Sequence, residues 1–204
     1  MIDLEGLDEL KSKEEKFTYA WLKELEEAGY IKDIKYEIKS YVLCEPVVIQ
    51  RFTKTGILHD YTLTVGRKYT PDFECTVLKP LKDTLQYKDQ LVHGKAYKGL
   101  IVNRNPDNTG KLVIETKATH DANNMTREAL VKISIVHDKY GDYVNLIKIP
   151  PYTHTNSGKS FFQDTFVPQL YEDWEDHRYK RNGRSKIKFN YFKVKEWLEI
   201  KNPE

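Results

Sequence analysis

Three ionisable side chains stand where strands ordinarily bury apolar ones. Asp72 lies in "GRKYTPDFECTVL" (residues 66–78), and Glu115 and Lys117 lie in "GKLVIETKATHD" (residues 110–121); both stretches read as strands. Side chains alternate along a strand, so Val113, Glu115 and Lys117 face one way while Leu112, Ile114 and Thr116 face the other. By the same rule Asp72 and Glu74 share a face opposite Phe73. Pro71 withholds an amide hydrogen where that strand begins, which suits an edge or a splayed strand end. If the two strands are neighbours, Asp72 approaches Glu115. Two close carboxylates repel unless a cation lies between them, and hard oxygen donors with room left for water are what Mg²⁺ prefers, with Mn²⁺ as a substitute. Such an ion holds a phosphate oxygen, lowers the pKa of a coordinated water and offsets charge developing in the transition state, which is phosphodiester chemistry. Lys117, one strand period from Glu115, is placed to orient or deprotonate the attacking water while steadying the phosphate.

The elements that must position these groups are legible as patterns. "SKEEKFTYAWLKELEEAG" sets Phe17, Trp21, Leu25 and Ala28 at helical spacing, with Ser12 as N-cap and Gly29 as the stop. "DIKYEIKSYVL" alternates Ile34, Tyr36 and Ile38 against Lys35, Glu37 and Lys39, the period of a half-exposed strand. A turn is expected near "TKTG", then a strand or hairpin from Tyr61 to Leu78 with a bend at Gly66. Residues 79–110 have no clear period and read as an insertion, with "GLIVN" pairing back across the "PDNTG" turn onto "KLVIETKA". A second helix is expected from about Asn123 to Tyr140, with Ala129, Ile133, Val136 and Tyr140 on one face and Gly141 closing it, and "DYVNLIKI" is then a strand. The order helix, strand, strand, strand, helix, strand is an α/β layout, a mixed central sheet flanked by helices. "PPYTHTNSG" reads as a linker between a core of residues 1–150 and a C-terminal extension of residues 151–204, in which Phe161, Phe162, Phe166 and Trp174 read as core or as an interface.

With 204 residues, 39% hydrophobic and 31% charged, the chain is expected to close one core unaided. Its two cysteines, Cys44 and Cys75, form no CxxC pair, so neither a disulfide framework nor a zinc site is suggested and a reducing compartment fits. The acidic, mixed N-terminus lacks the basic start and apolar run of a signal peptide, and the expected location is cytoplasmic. Net charge is only +2, but "RYKRNGRSKIKFNYFKVK" (residues 178–195) holds basic residues and no acidic one. Lys180, Arg181, Arg184, Lys186 and Lys188, interleaved with Tyr179, Phe189, Tyr191 and Phe192, are what phosphate contacts and base stacking would need, so DNA is the expected partner. A solvated face explains the same run. Arg127 on the second helix is a further candidate for phosphate contact.

P-D followed by E-x-K on successive strands resembles the PD-(D/E)XK nuclease superfamily, and within it the chain is similar to small phage-encoded nucleases, including junction-resolving endonucleases. The resemblance covers roughly residues 12–150. It implies a restriction-endonuclease-like core, metal ligation by Asp72, Glu115 and the backbone carbonyl of Thr116, and a catalytic Lys117. It also implies a further acidic group from a Ser-x-x-Glu at the start of the first helix, here "SKEE", which makes Glu15 a candidate ligand and catalytic residue; Ser12 with Glu15 is equally a capping box. The long gap between Asp72 and Glu115 departs from the compact pattern, and the insertion at 79–110 accounts for it. The implied function is a Mg²⁺-dependent endonuclease acting on DNA, branched DNA included, in the host cytoplasm if phage-encoded. A homodimer would favour the resolvase, and an exonuclease or restriction-type cutter shares the chemistry. The alternative from another class is a non-catalytic nucleic-acid-binding or assembly module whose acidic cluster is structural.

Overall fold

The computed structural model describes residues 6–37, 39–91, 99–118, 125–149, 161–173 and 192–203. The first helix, α1 (Lys13–Glu27), starts where Ser12 Oγ accepts the Glu15 N–H at 3.1 Å. It stops in a paired-carbonyl motif: the Tyr30 and Gly29 N–H groups donate to Leu25 O and Glu26 O, with Gly29 at φ 73 in the left-handed region. Phe17, Trp21 and Leu25 are buried, as their spacing requires, and Ala20 and Leu22 widen the stripe.

Among the described residues ten strands follow: β1 (Ile31–Tyr36), β2 (Tyr41–Cys44), β3 (Val47–Phe52), β4 (Leu58–Thr64), β5 (Arg67–Tyr69), β6 (Phe73–Val77), β7 (Leu85–Tyr87), β8 (Leu100–Arg104), β9 (Gly110–Ala118) and, after helix α2 (Met125–Tyr140), β10 (Asn145–Ile149). A last helix, α3, spans Val194–Lys201. The central sheet is mixed. β6 runs antiparallel to β1 on one side and to β9 on the other, while β10 lies parallel to β9, reached through α2. β8 joins the opposite end of β9 through Asn103 and Arg104, so "GLIVN" does pair back across the "PDNTG" turn; β7 then adds to β8 in parallel. The expected α/β layout, a mixed sheet flanked by helices, is present, with β2 to β5 intervening between β1 and β6 and β7 and β8 between β6 and β9.

Other expectations need correcting. The run read as one strand from Asp33 to Leu43 is two, because Glu37 takes φ 48 and donates its N–H to Asp72 O, turning the chain out of β1. The stretch from Tyr61 to Leu78 spans three strands, not one strand or hairpin. A second excursion, residues 41–69, was not expected beside the insertion at 79–110. It is built of two small antiparallel pairs, β2 with β5 and β3 with β4. At their junction Gly66 packs so tightly that an added Cβ would lie 3.0 Å from Pro46 Cδ and 3.2 Å from Cys44 O, which fixes the bend there.

The two faces of the sheet carry different layers. Leu112, Ile114, Phe73, Cys75, Ile147 and Ile149 pack with α1 in the larger core. Val113 faces the other way into a smaller cluster with Val136 of α2, Val144, Tyr41 and Tyr69. Beyond α1 the C-terminal segment adds a further layer: Phe166 stacks on Trp21 with ring centroids 5.3 Å apart, and Phe162 meets Tyr171, which stands edge-on to Phe17 at 4.9 Å. Trp197 of α3 donates from Nε1 to Thr84 Oγ1 at 2.7 Å. Phe162 and Phe166 are core residues and Phe161 is partly buried; Trp174 lies outside the described residues. Among the described residues no helix is long and apolar enough to cross a membrane.

Candidate active site

β6 and β9 are neighbours, in register with Phe73 against Ile114 and Glu74 against Val113. Continued by one and two residues, that register sets Asp72 against Glu115 and Pro71 against Thr116. Glu37 donates to Asp72 O from the β1 side, so the main-chain groups of Asp72 point away from β9. Its side chain points toward β9 instead, and Oδ2 accepts the Thr116 N–H at 2.6 Å. This is the hydrogen bond that a ladder residue at 71 would otherwise have received. In an extended strand the N–H and C=O of one residue point to the same edge. The Thr116 carbonyl therefore faces the same strand end, where Pro71 has no hydrogen to give it.

Asp72 is buried, with 8% of its surface exposed, and Glu115 retains 5%. Burial first, then the charge of Glu115, holds the Asp72 carboxyl well above the usual carboxylate range, against the opposing pull of the Thr116 N–H and of Lys117; Glu15 adds to the rise. Glu115 has partners on both oxygens: Lys117 Nζ lies 2.5 Å from Oε1, and the Tyr69 hydroxyl donates to Oε2 at 2.9 Å. Burial and then the charge of Glu115 push the Tyr69 phenol up, keeping its proton on the oxygen that donates. For Lys117, burial favours the neutral amine, but the hydrogen bond to Glu115 and the charges of Glu115, Asp72 and Glu15 outweigh it and raise its pKa. As it stands, Lys117 is an ammonium. That suits it to orienting a water and steadying negative charge.

Glu15 sits at the edge of this group. It is close enough for its charge to act on Asp72 and Lys117, but its Oε2 accepts from the Tyr36 hydroxyl at 2.7 Å and from the Lys11 N–H at 2.9 Å. The capping box is thus half formed: Ser12 serves the Glu15 N–H, while the Glu15 side chain reaches Lys11 instead of Ser12. Among the described residues no three His, Cys, Asp or Glu side chains are grouped closely enough to hold an ion by themselves. The oxygens that could hold a hard divalent cation here are those of Asp72 and Glu115 and the Thr116 carbonyl, and in this structure Asp72 Oδ2 accepts the Thr116 N–H while both Glu115 oxygens are partnered.

Arg127 is exposed on the first turn of α2, and Lys132 pairs with Glu128 at 2.6 Å along the helix. Lys180, Arg181, Arg184, Lys186 and Lys188 lie outside the described residues, as does His120. Two contributors escaped the sequence reading. Tyr69 is buried on β5 and donates to Glu115; its place two residues before Pro71, on a segment expected to be a strand or hairpin, hid its role. Thr18 meets Thr116 Oγ1 at 3.1 Å, and because its own hydrogen goes to Glu14 O at 2.9 Å, Thr116 is the donor. Comparison of the chain with family models, with curated proteins and with solved structures found no match.

Proposed function

We propose that this chain is a metal-dependent deoxyribonuclease, an endonuclease of the PD-(D/E)XK kind that hydrolyses DNA phosphodiester bonds, branched DNA among its substrates. The observation that carries the reading is the strand register, which brings Asp72 beside Glu115 with Lys117 paired to it. Asp72, Glu115 and the Thr116 carbonyl would hold Mg²⁺, or Mn²⁺ in its place. Bound there, the ion would supply a Lewis acid for a phosphate oxygen and a more acidic water. Lys117 steadies developing negative charge and orients the water. Tyr69 donates to Glu115 Oε2, and Glu15 lends further negative charge from the start of α1. The order α1, β1, β6, β9, α2, β10 supports a restriction-endonuclease-like core. Arg127 and the basic run at 178–195 would supply phosphate contacts. Two cuts across a junction need two sites related by symmetry, so a resolvase would act as a homodimer.

The test is incubation with supercoiled, linear and branched DNA in Mg²⁺, in Mn²⁺ and in EDTA, repeated with Lys117→Ala. Cutting that needs the metal and is lost in the variant, with salt-sensitive binding retained, is the expected result. One observation favours a second reading, a nucleic-acid-binding or assembly module: both oxygens of Glu115 are already satisfied by Lys117 and Tyr69. Binding without cutting, in every metal, would decide for it.

A further inference from the structure

The hairpin β3–β4 has no place in the catalytic group, yet it leaves the body next to it. All seven residues of β4 are exposed, and neither strand pairs with any other described strand. An isolated two-stranded ribbon is marginal in water by itself. Its large apolar side chains are bare, Phe52 at 74% and Ile57 at 58% beside the turn. Over residues 45–68 the charge is uneven: Arg51, Lys54, Arg67 and Lys68 stand against Glu45 and Asp60, and none of the four cations makes an ion pair among the described residues. Pairing of Ile49 with Tyr61 and Arg51 with His59 puts cation, imidazole and aromatic on one face, where Arg51 lies over the Tyr61 ring at 5.3 Å. The ribbon is also tied to the site. β4 leads through Gly66 into β5, and two residues on, Tyr69 holds Glu115.

We infer that this hairpin is an arm that lies in a groove of duplex DNA and positions it over the Asp72–Glu115 group. The inference rests on the nuclease reading for its purpose and on the arm's own surface for its partner. A two-stranded ribbon fits the major groove. Unpaired arginine and lysine supply phosphate contacts, and the bare Phe52 and Ile57 at the tip supply apolar contact with base or sugar. Seven residues of β4 reach roughly 23 Å, about seven base pairs at 3.4 Å each. Duplex extending about that far to one side of the cut is therefore required for full affinity.

The experiment measures binding of a labelled 30-base-pair duplex in EDTA across a salt series, for the wild type, Arg51→Gln/Lys54→Gln and Phe52→Ser/Ile57→Ser, with sedimentation of each. Expected for the charge variant is an affinity lower by on the order of 10-fold at 0.1 M salt and a salt slope smaller by about 2; shortening the duplex flank should lower wild-type affinity and spare that variant. Unchanged affinity and slope would overturn the inference. So would a wild-type dimer that Phe52→Ser/Ile57→Ser splits into monomers with duplex affinity intact, since the arm would then serve a second copy of the chain. The slope change without any Mg²⁺-dependent cutting would keep the arm and remove the nuclease reading, whereas cutting with an unchanged slope would do the reverse.

Discussion

Replacing Asp72 by asparagine removes a charge and keeps an oxygen that can accept the Thr116 N–H. Because the main-chain groups of Asp72 point toward β1, its rung against Glu115 is of the narrow kind, where opposed Cβ atoms lie about 4.5–5.5 Å apart. Two full charges about 5 Å apart repel by about 3 kcal/mol at an effective dielectric near 20. Lys117 on Glu115 and the Thr116 N–H on Asp72 offset part of that, leaving about 1–2 kcal/mol. Burial of the Asp72 charge, the larger cause of its raised pKa, adds to this, so Asp72→Asn should stabilise the metal-free protein by at least that amount at pH 8, read by urea unfolding in EDTA. The sign follows from linkage: a carboxyl whose folded-state pKa lies above its unfolded value weakens the fold at pH above that raised value, and the penalty fades as pH falls into the ordinary carboxylate range. The gain should thus vanish near pH 4. Glu115→Gln relieves the same repulsion but gives up its partner Lys117, so the double variant should gain less than the sum of the singles. Mg²⁺ should raise the wild-type midpoint and leave that of Asp72→Asn unchanged. Fully additive gains would refute the idea that these acids strain each other, and a variant less stable at pH 8 would refute the raised Asp72 pKa itself.

Further outcomes follow from the same geometry. Lys117→Ala should lower the cleavage rate by at least about 100-fold while leaving duplex affinity within a few-fold, measured in one buffer by gel assay and anisotropy. Tyr69→Phe loses only the donor to Glu115 Oε2, so at saturating Mg²⁺ its rate should recover toward wild type, with the metal concentration for half-maximal activity raised about 10-fold. Glu24 is buried on α1 and accepts the Gln169 N–H at 2.8 Å; burial first, then Glu172 and Glu27, pushes its carboxyl up to about 7. Its charged form therefore weakens the fold as pH rises from the ordinary carboxylate range through 7. Glu24→Gln keeps the acceptor and should gain about 3 kcal/mol at pH 8 and nearly nothing at pH 4.5 in thermal or urea unfolding.

What could be read from the chain alone divides along a physical line. The faces of β9 followed from alternation, and Leu112 and Ile114 do pack toward α1 while Val113 and Glu115 face away. The α1 stripe followed from its 3.6-residue period, and the face of α2 was right in Ala129 and Val136, though Tyr140 stays 43% exposed and reaches the Val42 carbonyl through its hydroxyl. Within residues 41–69 the turn near "TKTG" and the bend at Gly66 were legible, but the strands were not, because β3 and β4 are exposed on both faces and carry no alternation of buried and solvated positions. The break at Glu37 was invisible for another reason. It depends on a hydrogen bond to Asp72, 35 residues away, and no local pattern announces that. Asp72 against Glu115 was legible as a conditional, needing only adjacency of two strands. Tyr69 was not, since its role depends on how a three-residue strand folds back over the sheet.

The alternation of β9 also makes a claim about Thr116 that can be separated from its neighbours. Its side chain enters the core and donates to Thr18, while its N–H and C=O face Asp72. If Thr116 serves the site by its main chain, the hydroxyl matters only for packing. Thr18→Val leaves the Thr116 hydroxyl buried without an acceptor and should destabilise by about 1–3 kcal/mol, whereas Thr18→Val/Thr116→Val replaces both hydroxyls by methyls of the same shape and should recover most of it. Metal-dependent cleavage by the double variant should match the wild type, because valine presents the same N–H and carbonyl at position 116. A double variant that folds as stably as the wild type but cannot cut would move the Thr116 hydroxyl into the reaction and undo the division of labour between the two faces of the sheet.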